Sequence, residues 1–338
     1  QTLVSVFITI VFLVFYFVFN MSLSHSPDFV KVFVDFYPIK VVVDVIANNN
    51  LLSWLILIVC CLLPFSLAVM LEVYDFNHQN SFTTSTRKEL TFKKRNVFIT
   101  LFKNEASRYF RSTIYVLNTI IGSFFILLTA LLLVGFGKAR LEEMIITFMP
   151  NASDFVKHLN VIIVLVLMLV SATVITTSAS ISIEGKHLWI LRAHPVSEKH
   201  IFAAKIFLNL LLGGIPAIVA SIIVSFSIGF KYLPFMIILT LLSTLFAATQ
   251  GLINNLKYYK LDWKDEQEIV KQGMAVLISM GLAVVPGIIL FVLYFAVFMN
   301  LVNPFIYLLI ACLIMLIIDG VLLYHLFTKG IKKFKEIN

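Results

Sequence analysis

The sequence predicts an all-α polytopic membrane protein, and three observations carry that prediction. Of its 338 residues, 60% are hydrophobic and only 13% charged, with a mean hydropathy of +0.99; a soluble domain is about 25% charged. The apolar runs reach the ~20 residues that a helix needs to cross a bilayer. They are continuous and do not alternate polar with apolar, which excludes a barrel.

Eight segments read as transmembrane helices: 1–19, 51–72, 113–136, 161–182, 201–229, 233–254, 273–299 and 303–328. The first opens at Gln1 with neither a Met nor a basic leader, so it does not read as an intact signal peptide. The chain reads as the retained part of a longer protein. Cys60, Cys61 and Cys312 fall inside apolar segments, which suits packing better than disulfides or a zinc site.

Charge sets the expected orientation. Twenty of the 26 Lys and Arg residues fall in 73–112, 183–205, 256–272 and the tail after 328. By the positive-inside rule that side is cytoplasmic, and with it the 183–200 loop and the C-terminus. The net charge of +8 reflects this bias together with attraction to anionic lipid, and calls for no nucleic-acid partner.

Residues 1–74 give two spans joined by an external stretch. Within it, Phe29–Pro38 and Ile39–Ile46 are apolar but too short and too charged to span. They read either as an interfacial or re-entrant pair or as a folded external loop. Residues 75–98 are polar, small and basic without period, as a cytoplasmic linker is. In 99–112, Leu101, Phe102, Ala106, Tyr109 and Phe110 recur at helical spacing, with Lys103, Glu105, Arg108 and Arg111 between them. This is an amphipathic in-plane helix, its basic residues suited to lipid headgroups.

Six spans follow over 113–328, with one long external loop at 137–160 and tight turns at 230–232 and 300–302. A basic cytoplasmic tail, 329–338, closes the chain. The in-plane helix and its six spans form one unit with both ends cytoplasmic, and the first two spans suit the end of an earlier copy of that unit.

Ionisable groups within spans are candidate functional residues, because lipid makes them costly. Asp319 is the clearest, followed by Tyr324 and His325. It reads either as a substrate or proton site or as a hydrogen-bonded packing residue. In Ser171–Ser180, hydroxyls and small residues recur at three- and four-residue spacing, so helix backbones can approach there. Thr176, Thr177 and Ser178 would then pack or line a polar pathway. Gly213-Gly214-Ile215-Pro216 and Val285-Pro286-Gly287 mark expected breaks within spans.

No hydrolytic constellation emerges. Glu142-Glu143 is similar to the paired glutamates of intramembrane metalloproteases, but it lies in the external loop without well-placed His partners. No Gly-x-x-x-x-Gly-Lys-Ser/Thr loop is present, so the chain is not expected to bind and split ATP by that route.

Two cytoplasmic loops carry the densest polar chemistry. In 256–272, Asp262 is placed to cap a short helix that has Asp265, Glu266 and Glu268 nearby, and Trp263 adds an amphipathic surface. In 183–200, Glu184, Gly185 and Lys186 precede an apolar anchor of Trp189 and Leu191. Pro195 ends that segment and Ser197 caps the next helix. An aromatic anchor rimmed by charge suits a protein interface or the headgroup layer.

Glu184-Gly185, Trp189, Leu191 and Pro195-Val196-Ser197, followed by a new span, resemble the first cytoplasmic loop of bacterial ABC exporter permeases of the type-2 class. Asp262-Trp263 with Glu268 and Val270-Lys271-Gln272, and Phe102-Lys103-Asn104-Glu105 with Tyr109-Phe110, are similar to the same permeases, and the likeness covers about 99–328. In Ala193-His194, His194 departs from the small or aliphatic residues usual there, and four upstream spans of a complete first half are absent.

The resemblance implies a membrane subunit of a Gram-positive-like exporter that moves a peptide, lipid or amphiphilic drug outward. Glu184, Gly185, Lys186, Trp189, Leu191, Pro195 and Ser197 would couple to a separate cytoplasmic ATPase. Asp262, Trp263, Asp265 and Glu268 would make a second contact. Two ATPase copies would bind ATP and Mg, this chain binding no cofactor of its own, and a second permease half or accessory membrane protein is a further implied partner. The rival readings are an ion-coupled secondary transporter, which would use Asp319, and an intramembrane enzyme.

Overall fold

The computed structural model describes residues 96–148, 153–193, 195–299 and 301–337, with isolated helical positions between Val41 and Met70. The expected span 1–19, the external pair within 29–46 and most of the linker at 75–98 lie outside the described residues, apart from a few positions of that pair and Asn96–Phe98, where the expected linker has already become the start of a helix. The chain divides into two compact units, Gln1–Lys93 and Lys94–Asn338. In the first unit the described positions are helical, and Leu51, Leu52, Leu55 and Met70 are exposed. In the second, the regular structure is helical throughout, with no strand among the described residues.

Helix α1 spans Val97–Arg111. The Asn96 side chain accepts the Phe98 N–H at 2.9 Å and so satisfies one of the free donors of the first turn. Arg108 and Arg111 in the last turn face the negative end of the helix dipole. Its apolar stripe, including Phe102, Ala106 and Tyr109, packs inward.

Helix α2 runs Thr113–Phe148 and turns at Gly137, whose φ of 70° is open to glycine and strained for other residues. The expected external loop is therefore largely helical. Leu141 and Ile145, one turn apart, pack on the core and hold the distal part of α2 there. The short α3, Ser153–Lys157, follows, and then α4, Leu159–Ser171.

The expected span at 161–182 is corrected here. At 13 residues α4 covers ~20 Å, short of the ~30 Å hydrocarbon layer. Beyond Ser171 the backbone leaves the helix, passing through turns to a 3₁₀ segment, Ser182–His187, and to the six-residue α5, Leu188–Ala193. Hydropathy follows composition alone, so an irregular segment buried inside protein reads the same as a helix.

Helix α6, Glu198–Ile228, stays helical through Pro216, where a break was expected. Helix α7 spans Leu233–Lys257. The short α8, Gln267–Val270, leads to α9, Met274–Ala283, and α10, Val285–Leu293. Here the break expected at Pro286 is present, since the helix is interrupted between Ala283 and Val285. Helix α11, Pro304–His325, continues through a wider turn at Leu326–Gly330 into α12, Ile331–Glu336.

Five helical runs among the described residues are long and apolar enough to cross a membrane: Thr113–Thr147, Glu198–Ile228, Phe230–Lys257, Gln267–Phe298 and Pro304–Glu336. Their main core gathers α2, α4, α6, α7, α10 and α11 around residues such as Leu165, Val224, Met236 and Leu308. A second cluster joins Leu188, Phe202, Leu256, Leu326 and Phe334 at the end rich in Lys and Arg.

Candidate functional site

Four charged side chains from three separate stretches meet beside α5. Lys205, counted with a loop by its charge, lies two turns into α6 and is 2% exposed. Its Nζ is 2.8 Å from Glu105 Oε2 and 3.0 Å from Glu184 Oε1, and it donates to the Ser180 carbonyl at 2.7 Å. All three ammonium donors are thereby used. Arg108 Nη1 lies 2.8 Å from Glu105 Oε2 and 2.5 Å from Glu184 Oε1.

Two cations thus face two carboxylates, and the cluster is neutral as a whole. Buried ion pairs persist when each charge is paired and its donors are filled, as here. The expectation that the basic residues of α1 face headgroups is corrected for Arg108, which turns to Glu184. A cavity of about 40 Å³ beside the cluster is lined by Asn104, Leu191 and Ile201 among others. It has room for water and none for a transported solute.

This arrangement divides the predicted loop. Glu184 and Gly185 are buried, whereas Lys186, Trp189 and Pro195 are exposed and Leu191 is half-buried. Trp189 is 65% exposed on α5, beside Ile190 at 42%. Gly185 has φ 54°, and a Cβ there would come within 3.2 Å of Trp263 Nε1. Trp263 in turn donates from Nε1 to the Ser182 carbonyl at 2.8 Å. The two loops singled out in the sequence therefore meet face to face, indole on glycine.

Other expectations need correction. Asp262 does not cap a helix; it is exposed and 3.3 Å from Lys186 Nζ, an ion pair screened by water. The capping carboxylate is Asp265, whose Oδ1 accepts the Gln267 N–H at 3.0 Å at the start of α8. Glu268 pairs with Lys260 on the surface. Ser197 stands at the N-cap position of α6, yet its side chain makes no capping hydrogen bond.

Thr176, Thr177 and Ser178 are buried within the irregular segment and each is hydrogen-bonded. Asn209 Oδ1 accepts from Thr176 N and Oγ1 at 2.6 and 2.9 Å, and Asn209 Nδ2 donates to the Val174 carbonyl at 3.1 Å. Thr177 Oγ1 donates to the Ala248 carbonyl at 2.6 Å, and Ser178 Oγ to Ile175 at 3.2 Å. Asn255 Oδ1 accepts from the Ile181 and Ser182 N–H groups at 2.7 and 3.2 Å. Non-helical backbone is tolerated among apolar helices only where protein satisfies its polar groups. Asn209 and Asn255 do so here, from α6 and α7. Gly251 makes room, since a Cβ on it would sit 2.6 Å from Thr177 Oγ1.

Asn209, Asn255, Glu105, Arg108 and Lys205 were not marked as site residues in the sequence. A lone Asn or Lys within an apolar run was the available signal.

Asp319 is 2% exposed, and neither carboxylate oxygen has a hydrogen-bond partner among the described residues. Among the described residues the hydrogen-bonded packing reading finds no partner for it. Tyr324 and His325 are exposed and do not join it. The Tyr109 and Thr119 hydroxyls share a hydrogen bond of 2.5 Å, and burial raises the Tyr109 phenol above its ordinary pKa. Among the described residues no group of three or more His, Cys, Asp and Glu side chains is arranged to hold a metal ion.

Comparison with family models, curated proteins and solved structures returns no match.

Proposed function

We propose that this chain is the membrane permease subunit of an ATP-driven exporter, with ATP hydrolysed by a separate subunit that grips α5. The observation that carries the reading is the exposure of Trp189 and Ile190 on a short helix whose root is tied to the interior. A large apolar side chain held outward on a fixed base is how a protein offers a partner an anchor. The root is tied by Glu184, which reaches Lys205 at the start of a membrane-length helix. A push on α5 would pass along that ion pair into α6.

On this reading the Lys- and Arg-rich end is cytoplasmic, two ATPase copies bind ATP and Mg, and a peptide, lipid or amphiphilic drug moves outward. Trp263, Asp265 and Glu268 form a supporting contact beside the first. A second permease half or an accessory membrane protein completes the pathway.

The test is a Trp189→Ala chain reconstituted with the ATPase that co-purifies from its own membranes. The variant keeps its fold and loses both stimulated hydrolysis and transport. Unchanged transport with unchanged co-purification overturns the proposal.

Asp319, which has no hydrogen-bond partner among the described residues, favours a second reading, an ion-coupled secondary transporter. That reading expects transport driven by a pH gradient without nucleotide and abolished in Asp319→Asn. Transport that requires ATP and survives this substitution removes it.

A further inference from the structure

Within the stretch read from the sequence as a basic cytoplasmic tail, Ile331–Glu336 form α12, and Arg192 ties its end to α5. Ile331, Phe334 and Ile337 recur every third residue and turn inward, while Lys332, Lys333, Lys335 and Glu336 face out. Phe334 and Ile337 are each 1% exposed. The Phe334 ring meets Phe202 of α6 edge to face, with centroids 5.5 Å apart.

Two polar ties reach from this helix to either side of the 194–197 connection. On the α5 side, Arg192 Nη2 donates to the Lys335 carbonyl at 2.5 Å, and Nη1 donates to the Ile337 carbonyl. These carbonyls lie at the end of α12, where the chain's own helix leaves them without donors. A planar guanidinium can serve both at once, which a lysine ammonium on its flexible stem does poorly. On the α6 side, Lys335 Nζ is 3.2 Å from Glu198 Oε1.

Helix α5 needs such support. Six residues are far too few to be helical unaided. Leu188 is its single buried residue, and Leu191 is only half-buried. Those two side chains, at i and i+3, turn one face of α5 inward but bury little, and the rotation of α5 decides where Trp189 and Ile190 point. Arg192 adds a polar constraint on the same rotation.

We infer that the C-terminal helix is a strap that sets the orientation of α5, with Arg192 as the positioning residue. Its consequence for transport rests on the proposed function; the strap itself does not. Presentation of the Trp189 anchor would then depend on residues 331–337.

Hydrogen exchange on the full chain in lipid nanodiscs tests this directly. In Arg192→Gln, amides of 188–193 are expected to exchange at least ten-fold faster, while those of 204–224 are unchanged. A chain ending at Gly330 gives the same pattern or a stronger one, and Arg192→Lys falls between Gln and the original. Unchanged protection of 188–193 in Arg192→Gln overturns the inference. Equal loosening over 204–224 also overturns it, because Arg192 would then support the fold in general.

Trp189→Ala separates this claim from the functional one. Should that substitution leave partner hydrolysis untouched while Arg192→Gln still loosens α5, the exporter reading fails and the strap stands.

Discussion

The Lys205 ammonium on α6 lies 2.8 Å from the Glu105 carboxylate on α1, both of them buried, 100 residues apart in sequence. This contact and its partners at Glu184 and Arg108 tie the lead-in helix, the irregular segment and a membrane-length helix into one body. A cluster so placed resists deformation because no member can leave without stranding an opposite charge.

Replacing Lys205 with Met should therefore be severe. Removing one partner from a buried ion pair costs about 3–5 kcal/mol. A denaturation series in detergent should show Lys205→Met strongly destabilised. The double variant Lys205→Met/Glu105→Gln should lose less than the sum of the single changes, by about 0.5–3 kcal/mol. Simple additivity would mean that the two groups are not coupled.

Asn255→Leu should loosen the irregular segment. It strips the Ile181 and Ser182 N–H groups of their acceptor while keeping them buried. Each unsatisfied donor costs about 1–3 kcal/mol. Faster hydrogen exchange across 178–184, with α7 intact, is the expected signature.

At Gly185 the positive φ and the contact with Trp263 act together. Gly185→Ala should displace the indole. In a Trp54→Phe/Trp189→Phe background the emission of Trp263 should shift to the red as its ring gains water. An unchanged spectrum would show that the indole accommodates a methyl group.

Asp319→Asn should be tolerated or stabilising. The buried carboxyl has no described partner to lose, and a neutral amide of the same shape removes the cost of an ionisable group among apolar helices. A thermal midpoint equal to or above that of the parent chain is expected. A clear fall would reveal a partner for Asp319.

Much of the helical layout was legible because composition and run length dominate the energetics of membrane helices. Four of the expected spans, beginning at 113, 201, 233 and 303, fall on membrane-length helices, and the segment from 273 falls on an interrupted run of that length. The segment at 161–182 misled because its residues are as apolar as a helix, while its hydrogen bonds go to Asn209 and Asn255. Those partners lie 33 and 74 residues away in sequence, so no local pattern could show them. Capping misled for a smaller reason: Asp262 and Asp265 are both plausible caps, and where the helix starts decides between them.

The sequence by itself determined that the chain is helical and membrane-embedded, since apolar run length and charge deficit suffice for both. It also marked the stretch from Glu184 to Ser197 as unusual. Only the tertiary structure decided which of those residues face inward and which outward. Glu184 and Gly185 turn inward because Lys205, Arg108 and Trp263 wait for them there; Trp189 remains outside because no described residue covers it. Burial of a charge depends on partners brought from far along the chain, and that pairing exists only once the helices have packed.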